Sequence, residues 1–127
     1  MTIMRCYRAM KKAEDDYPEV GVSSRTLGAR PGLDLPIDSA GMVQPQTGGM
    51  SVTVNDPYKL PLVRLPRNMG GNGRDPLFWM GEERLPRLLS IRIDKGSCHA
   101  FVEPIEHCPF ESYQQTLHGT RSDWRLY

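Results

Sequence analysis

The sequence predicts an α+β fold, in a compact domain with several short strands, one late helix and ordered loops. Apolar runs of strand length occur at the start of the chain and again after residue 75. The chain holds 11 prolines and 12 glycines, which cluster in residues 31–76 and exclude long helices from that segment. Residues 109–118 then carry apolar side chains at helical spacing.

The strand candidates follow one another along the chain. Residues 1–10, MTIMRCYRAM, form the first apolar run, and MSVTV (50–54) is the second. After the middle segment come PLFWM (76–80), LLSIRID (88–94) and SCHAFVEP (97–104). Apolar and polar side chains alternate in LLSIRID, which predicts a strand with one buried and one wet face.

One helix is predicted near the end of the chain. Phe110, Tyr113 and Leu117 share a face at helical spacing, and Pro109 suits the first turn. A chain of 127 residues supports one hydrophobic core, since a domain of that size buries roughly two thirds of its unfolded surface. Residues 1–127 are therefore predicted to form a single domain.

Composition and charge exclude several classes of function. Hydrophobic residues make up 39% of the chain and charged residues 24%, which favours neither disorder nor a membrane span. The 16 basic and 15 acidic residues leave a net charge of +1. We therefore expect neither a nucleic-acid partner nor a membrane surface as partner.

The first residues and the cysteines indicate the cellular compartment. MTIMRCYRAMKKAEDD lacks an apolar run of signal-peptide length, so a cytoplasmic location in the producing cell is expected. Cys6, Cys98 and Cys108 are odd in number and irregular in spacing, which favours reduced thiols over a disulfide framework.

Arg8 is a charged residue inside a run that otherwise has the composition of a core strand. On an alternating strand it shares a face with Cys6 and Met10, so its guanidinium would be partly buried and would need an anionic partner. That partner is either a phosphate of a ligand or a carboxylate of the chain, since buried charges are usually paired within the protein. Arg8 is thus a candidate binding residue, with a structural ion pair as the alternative.

The stretch GMVQPQTGGMSVTV, residues 41–54, has a glycine turn directly before a strand. Gly48 and Gly49 allow a ligand to approach the backbone, and successive N–H groups in such a turn form an anion-binding concavity. Thr47 and Ser51 add hydroxyl groups. No GK[ST] follows the turn, so it is not a P-loop, and an ordinary turn leading into a strand is the alternative.

SCHAFVEP is predicted to project His99, Phe101 and Glu103 from one face of a strand and a small apolar set from the other. A histidine and a carboxylate on one face can hold a polar ligand and activate a hydroxyl. They can equally form a surface pair. His99 and Glu103 are therefore candidate site residues.

Zinc-ligand types occur in two pairs, Cys98 with His99 and His107 with Cys108, and His118 lies further along. Neighbouring residues on a strand point to opposite faces, so each pair is poorly suited to close one tetrahedron. We therefore predict no metal site.

Several motifs occur in an order that resembles a known family. They are YRA near the start, GLDLPIDSAGMVQPQTGGMSV, DPYKLPLVRLP, GGNGRDPLFWM, and HAFVEP before an amphipathic helix. Over about residues 7–124 this set is similar to a family of small bacterial ADP-ribosyltransferase-like toxins named for a type VI secretion effector of pseudomonads. The resemblance implies two small antiparallel sheets around a cleft that binds NAD as a substrate.

The resemblance also implies roles for individual residues. Ser51 supports the nicotinamide ribose, His99 hydrogen-bonds that ribose or its leaving group, and Glu103 stabilises positive charge on the oxocarbenium-like sugar. Tyr7 or Trp79 is a candidate to stack on nicotinamide or adenine, with burial in the core as the alternative for each. Arg8 neutralises the pyrophosphate. The candidate NAD-binding residues are Arg8, Thr47, Gly48 and Gly49.

Two classes of function stay open. The first is a toxin that uses NAD to modify a macromolecule in a target cell, is secreted without a signal peptide, and is restrained by a cognate immunity protein or antitoxin. The second is a catalytically degenerate relative that binds a partner without transfer, since Ala100 stands where relatives can carry a tyrosine after the histidine. A ribonuclease-like toxin is less favoured, because the charge balance predicts no basic groove.

Overall fold

Residues 3–127 are described by a computed structural model of the protein. A six-stranded antiparallel sheet, a two-stranded sheet and one α-helix form a compact α+β domain, which confirms the predicted class. The strands are β1 (Arg5–Ala9), β2 (Met42–Val43), β3 (Met50–Val54), β4 (Leu77–Gly81), β5 (Leu89–Ile93), β6 (His99–Pro104), β7 (Cys108–Pro109) and β8 (Arg125–Leu126). The helix, α1, spans Phe110–His118.

The large sheet has the strand order β5-β6-β3-β1-β4-β8, and β2 pairs with β7. All five strands predicted from apolar runs lie in the large sheet. The two-residue strands β2, β7 and β8 were not predicted, because so few residues show no alternation. The helix begins at Phe110, one residue later than predicted, and Pro109 is its N-cap instead of part of its first turn. No helix within residues 3–127 is both long enough and apolar enough to cross a bilayer.

The main core lies between one face of the large sheet and α1. Alternate residues of β3 and β6 face this core, and from the C-terminal part of the chain Tyr113, Leu117 and Trp124 complete it. The strand residues involved are Met50, Val52, Val54, Ala100 and Val102. Because these side chains fill one face, Ser51 and His99 are left on the other.

A smaller apolar cluster covers the opposite face of the sheet near β1. Tyr7 and Ala9 of β1 and Leu77 of β4 pack there against Leu60 and Leu65. The proline-rich loop between β3 and β4 supplies the last two residues. This loop forms a second layer over the sheet and provides one wall of a cleft.

The large sheet is weakly joined between β1 and β3. β1 pairs with β4 along five residues but with β3 only at Cys6 with Val54 and Tyr7 with Thr53. Beyond Tyr7 the two strands no longer pair, so a gap opens beside Ser51. The resemblance implied two separate small sheets, whereas here one six-stranded sheet runs through this narrow junction.

Candidate functional site

A cavity of about 250 Å³ lies where β1 and β3 stop pairing. Strand residues form one side, and loop residues between positions 24 and 34 and between 60 and 64 form the other. The lining residues that carry charge or polar chemistry include Arg8, Arg30, Asp34, Ser51, Arg64 and His99. Arg8, Ser51 and His99, which the sequence predicted as site residues, therefore meet at one cavity.

Arg8 is 7% exposed, and backbone carbonyl groups surround its guanidinium. Nη1 donates to the carbonyl oxygen of Ser51 at 2.7 Å, and Nε and Nη2 donate to that of Thr26 at 3.2 and 2.8 Å. The structural carboxylate that was one of the two expected partners of Arg8 is therefore replaced: within residues 3–127 carbonyl oxygens accept the hydrogen bonds of its guanidinium. The reason is the end of the β1–β3 ladder, which leaves the Ser51 carbonyl without a strand partner.

The positive charge of Arg8 nevertheless persists. Burial lowers the pKa of Arg8 to about 10, and the nearby Asp34 carboxylate acts in the opposite direction. The guanidinium is therefore still charged at neutral pH. A guanidinium has five N–H donors, and the second N–H of Nη1 is not needed for these carbonyl bonds. Arg8 thus holds the backbone of Ser51 and keeps its positive charge beside the cavity.

Ser51 and His99 are diagonal neighbours on one face of the β3–β6 pair, in which Ser51 lies opposite Phe101. Ser51 Oγ is 3.2 Å from His99 Nε2. Asp94 Oδ2 is 3.3 Å from Nδ1 of the same ring. Sequence analysis missed Asp94, since the alternation in LLSIRID predicts only that its side chain is on a wet face.

Glu103 shares the strand face of His99 but does not line the cavity. It is 4% exposed, and its Oε2 accepts hydrogen bonds from Arg92 Nε at 3.0 Å and from the Gln46 N–H at 2.9 Å. The Arg92 guanidinium also lies 4.8 Å from the centre of the Phe101 ring. Glu103 therefore joins β5 and the turn before β3 to β6, and its role on the sugar stays a prediction.

The glycine turn packs against the chain rather than lining the cavity. Gly48 and Gly49 are buried, and the Gly49 N–H donates to the carbonyl oxygen of Asp34 at 2.9 Å. Gly48 has a φ of +142°, and a Cβ there would lie 2.2 Å from the same oxygen. Thr47 is exposed and donates its hydroxyl to the Gln44 carbonyl. The glycines thus permit close approach of a loop, and the predicted ligand concavity is not formed at this cavity.

Arginines that sequence analysis did not single out border the site. Arg30 pairs with Asp34 at 2.9 Å, whereas the guanidinium of Arg64 forms no hydrogen bond or ion pair with another residue in the described part of the chain. A second cavity of about 280 Å³ shares Ala9 and Arg64 with the first. Its other charged residues are Arg25, Arg74 and Asp75. No pattern in the sequence brings these positions together.

Only one of the two candidate stacking aromatics reaches the cavity. Tyr7 lines it and packs edge-on against Tyr127, with ring centres 5.9 Å apart. Trp79 lies outside it, with the Arg5 guanidinium 4.2 Å from its ring centre. Tyr7 is therefore the aromatic residue that a ligand in this cavity would meet.

The cysteines are free thiols in this structure. Cys6 is completely buried, and burial raises its pKa to about 12, so its thiol stays protonated. Burial also raises the pKa of Cys108. Among residues 3–127 no three His, Cys, Asp or Glu side chains are grouped as metal ligands.

Comparison with known proteins adds no relative to this description. No family model, curated protein or solved structure matches the chain. A function for the cleft therefore has to be argued from its own geometry and from the ordered motifs of the sequence.

Proposed function

We propose that the cleft binds NAD and that the protein is a mono-ADP-ribosyltransferase-like toxin, which transfers ADP-ribose to a macromolecule of a target cell. The observation that carries the proposal is Arg64, which borders two adjoining cavities and has no carboxylate bound to it within residues 3–127. NAD consists of two bulky halves joined by an anionic pyrophosphate. Two cavities with a cation between them match that arrangement of charge and bulk.

Cavity size supports a ligand with two halves. The first cavity measures about 250 Å³ and the second about 280 Å³. Sites for organic ligands usually measure roughly 300–1,000 Å³. Each cavity alone lies just below that range, whereas a dinucleotide that extends across Arg64 would use both.

The local charge supports an anionic ligand. In the first cavity three arginines face one carboxylate, that of Asp34. In the second cavity three arginines, with Arg64 counted in both, face Asp75 alone. The whole chain has a net charge of only +1, so this concentration of positive charge is a property of the cleft. It would raise the local concentration of a dinucleotide.

Ser51 and His99 act on the nicotinamide ribose in this proposal. Ser51 Oγ hydrogen-bonds a ribose hydroxyl, and His99, 3.2 Å away, orients Oγ for that contact. Arg8 holds the backbone of Ser51 and adds positive charge, while Arg64 takes over direct contact with the pyrophosphate. Glu103 is engaged by other residues, so it would stabilise the sugar cation only at a distance.

The biological setting comes from the resemblance alone. It comprises an ADP-ribosyltransferase-like fold, a cytoplasmic stage in the producing cell, secretion into a target cell, and a cognate immunity protein or antitoxin as partner. The alternative is a degenerate relative that binds NAD or a protein without transfer. Growth of a bacterial host that expresses the chain separates these functions: a transferase arrests growth, and Ser51→Ala and His99→Ala relieve the arrest.

The direct test is titration calorimetry of the purified full chain with NAD, together with measurement of free nicotinamide in the same samples. We expect wild-type protein to bind NAD and release nicotinamide. Arg64→Ala should weaken binding at least tenfold, since a charge-assisted hydrogen bond contributes about 1.5–3 kcal/mol. Arg87→Ala, an exposed arginine outside both cavities, is the matched control and should bind as wild type does.

Each result of the calorimetry and of the nicotinamide measurement supports a different function. Binding that depends on Arg64, with nicotinamide released, supports the transferase. Arg64-dependent binding without release supports the degenerate relative. Absence of NAD binding by wild-type protein whose fold is verified by circular dichroism overturns the proposal.

A further inference from the structure

Three side chains beside the first cavity form a hydrogen-bonded series. Ser51 Oγ on β3 is 3.2 Å from His99 Nε2 on β6, and His99 Nδ1 is 3.3 Å from Asp94 Oδ2, which directly follows β5. Ser51 and His99 both line the cavity. A hydroxyl, an imidazole and a carboxylate in this order of contact are the groups of a base-activated nucleophile.

The turn between β5 and β6 fixes Asp94 with respect to His99. The Asp94 N–H donates to the His99 carbonyl at 2.8 Å. Ser97 Oγ donates to the Asp94 carbonyl at 3.2 Å and accepts from the His99 N–H at 3.1 Å. Because these hydrogen bonds join the two ends of the turn, the backbone holds the Asp94 carboxylate beside the His99 imidazole.

The imidazole ring is restrained on a further side. The ring of Phe101 packs edge-on against that of His99, with centres 4.7 Å apart and planes at 77°. Phe101 is itself covered by the Arg92 guanidinium. The orientation of His99 is therefore set by contacts at both ring nitrogens and by an aromatic neighbour.

This orientation decides which nitrogen can act as a base. A carboxylate beside Nδ1 favours the tautomer with its proton on Nδ1, since only an N–H can donate to it. Nε2 then carries a lone pair directed at the hydroxyl of Ser51. The hydroxyl can donate its proton to Nε2 when Oγ attacks an electrophile.

We propose that Ser51 is a base-activated nucleophile and that the cavity supports acyl transfer from a small carboxylic ester. Ser51 Oγ forms a bond to the carbonyl carbon while its proton passes to His99 Nε2. The bond from that carbon to the alcohol oxygen breaks, and the alcohol leaves with the proton. Water then attacks the acyl group with His99 as base, which releases the carboxylic acid and restores the Ser51 hydroxyl. Asp94 acts through His99 and is a positioning residue.

The cavity limits the substrate to a small acyl group, since its volume is about 250 Å³. Arg64 lines the same cavity, and in this proposal its positive charge stabilises the carbonyl oxygen as that oxygen becomes negative. None of these steps needs NAD. If the protein does not bind NAD, Ser51 can still be an activated nucleophile. If Ser51 is not labelled, the protein can still bind NAD.

The test is covalent labelling of the full chain with a fluorophosphonate, with the adduct located by mass spectrometry of peptides. Wild-type protein should be labelled at Ser51. Ser51→Ala should lose that adduct, and His99→Gln should slow labelling by roughly 100-fold, the usual contribution of a general base. Ser112→Ala removes an exposed helical serine and is the matched control, which should be labelled as fast as wild type.

The role of Asp94 has its own readouts. Asp94→Asn should slow labelling about tenfold, because an exposed carboxylate is screened by water and its influence is smaller than that of the base. In nitrogen NMR spectra of the imidazole, wild-type His99 should show its proton on Nδ1, and Asp94→Asn should shift the tautomer population. Asp94→Glu should restore part of the labelling rate.

Acyl transfer is measured with 4-nitrophenyl acetate. Hydrolysis by wild-type protein should exceed that by Ser51→Ala by at least tenfold. Equal rates overturn the acyl-transfer activity even where Ser51 is labelled. Folded wild-type protein without an adduct at Ser51, or labelling that is unchanged in His99→Gln, overturns the activated nucleophile.

Discussion

At the scale of single residues, Arg8 has the strongest structural role in the cleft. Its side chain bridges the point where β1 and β3 part, and it replaces strand pairing with hydrogen bonds to the carbonyl oxygens of Ser51 and Thr26. A buried guanidinium that is held by carbonyl oxygens keeps its positive charge, since no carboxylate within residues 3–127 neutralises it by direct contact. The same residue therefore stabilises the fold and contributes to the field of the cavity.

Replacement of Arg8 should cost stability before it affects a ligand. Arg8→Lys keeps the charge but loses the fork of donors, so we expect a loss of roughly 2 kcal/mol in the free energy of unfolding. Arg8→Ala leaves the carbonyl oxygens unpaired and creates a void, so it should lower the free energy of unfolding by about 4 kcal/mol. Urea unfolding measures both, and Arg64→Lys is the control, expected within about 0.5 kcal/mol of wild type. Arg8→Lys protein as stable as wild type would contradict this role.

At the scale of elements, the turn before β3 shows what its glycines do. Gly48 brings its backbone against the carbonyl of Asp34, and the Gly49 N–H bonds to the same carbonyl. Asp34 in turn binds Arg30 beside the cavity. The turn thus holds the loop that carries Arg30 and Asp34 in position. It supports the site in this way without lining the cavity.

Gly48→Ala tests this packing, with Gly41→Ala as its matched control. Both glycines have positive φ, +142° and +79°, but a Cβ on Gly48 would meet the Asp34 carbonyl oxygen at 2.2 Å and one on Gly41 would meet nothing within 4 Å. Gly41→Ala should cost about 1 kcal/mol, the strain of positive φ alone. Gly48→Ala should cost roughly 2 kcal/mol more in thermal or urea unfolding. Equal losses in the two variants would rule out the close contact.

The elements also show how far the sequence can be interpreted. The alternation around Ala100 and Val102 correctly predicted a strand whose His99, Phe101 and Glu103 share a face. It did not predict that Glu103 would bind Arg92, since that contact depends on the register of the β5–β6 hairpin, which the alternation does not give. Periodicity fixes the direction of a side chain but not the neighbour it finds.

Site residues in the loops are harder to predict from the sequence than those in the strands. Arg64 and Arg74 lie in a segment rich in proline and glycine, which carries no periodic signal. Asp94 likewise becomes a candidate site residue only because the turn between β5 and β6 brings it beside His99. These positions become a site through folding, and the spacing of residues along the chain does not contain that information.

At the scale of the whole molecule, an almost neutral chain carries a strongly positive cleft. Five arginines between positions 8 and 74 line the two cavities, and most of the carboxylates that balance the total charge lie elsewhere. Net charge therefore did not exclude an anionic ligand, although it predicted no basic groove. Asp34 and Asp75 are the two carboxylates that line the cavities, and each binds an arginine, Arg30 or Arg25.

The pair of Arg25 and Asp75 also ties distant parts of the fold together. Arg25 Nε and Nη2 donate to the two carboxylate oxygens of Asp75, each at 2.7 Å. Hydrogen bonding to Arg25 holds the pKa of Asp75 below its ordinary value of 3.8. A carboxylate with a lowered folded pKa stabilises the protein fully above its unfolded pKa, and this contribution is lost as the pH falls through the folded pKa.

Asp75→Asn should therefore lose stability in a manner that depends on pH. At pH 7 we expect a loss of roughly 1–3 kcal/mol, between the values for exposed and buried ion pairs. The difference between wild type and variant should shrink as the pH falls below about 4, because protonation of Asp75 then removes the same interaction in wild type. Urea unfolding at a series of pH values measures this difference. Asp15→Asn breaks the exposed pair with Arg121 and is the control, for which water screening predicts a smaller loss at every pH. A difference for Asp75→Asn that stays constant from pH 7 to pH 3 would show that the carboxylate charge does not stabilise the fold.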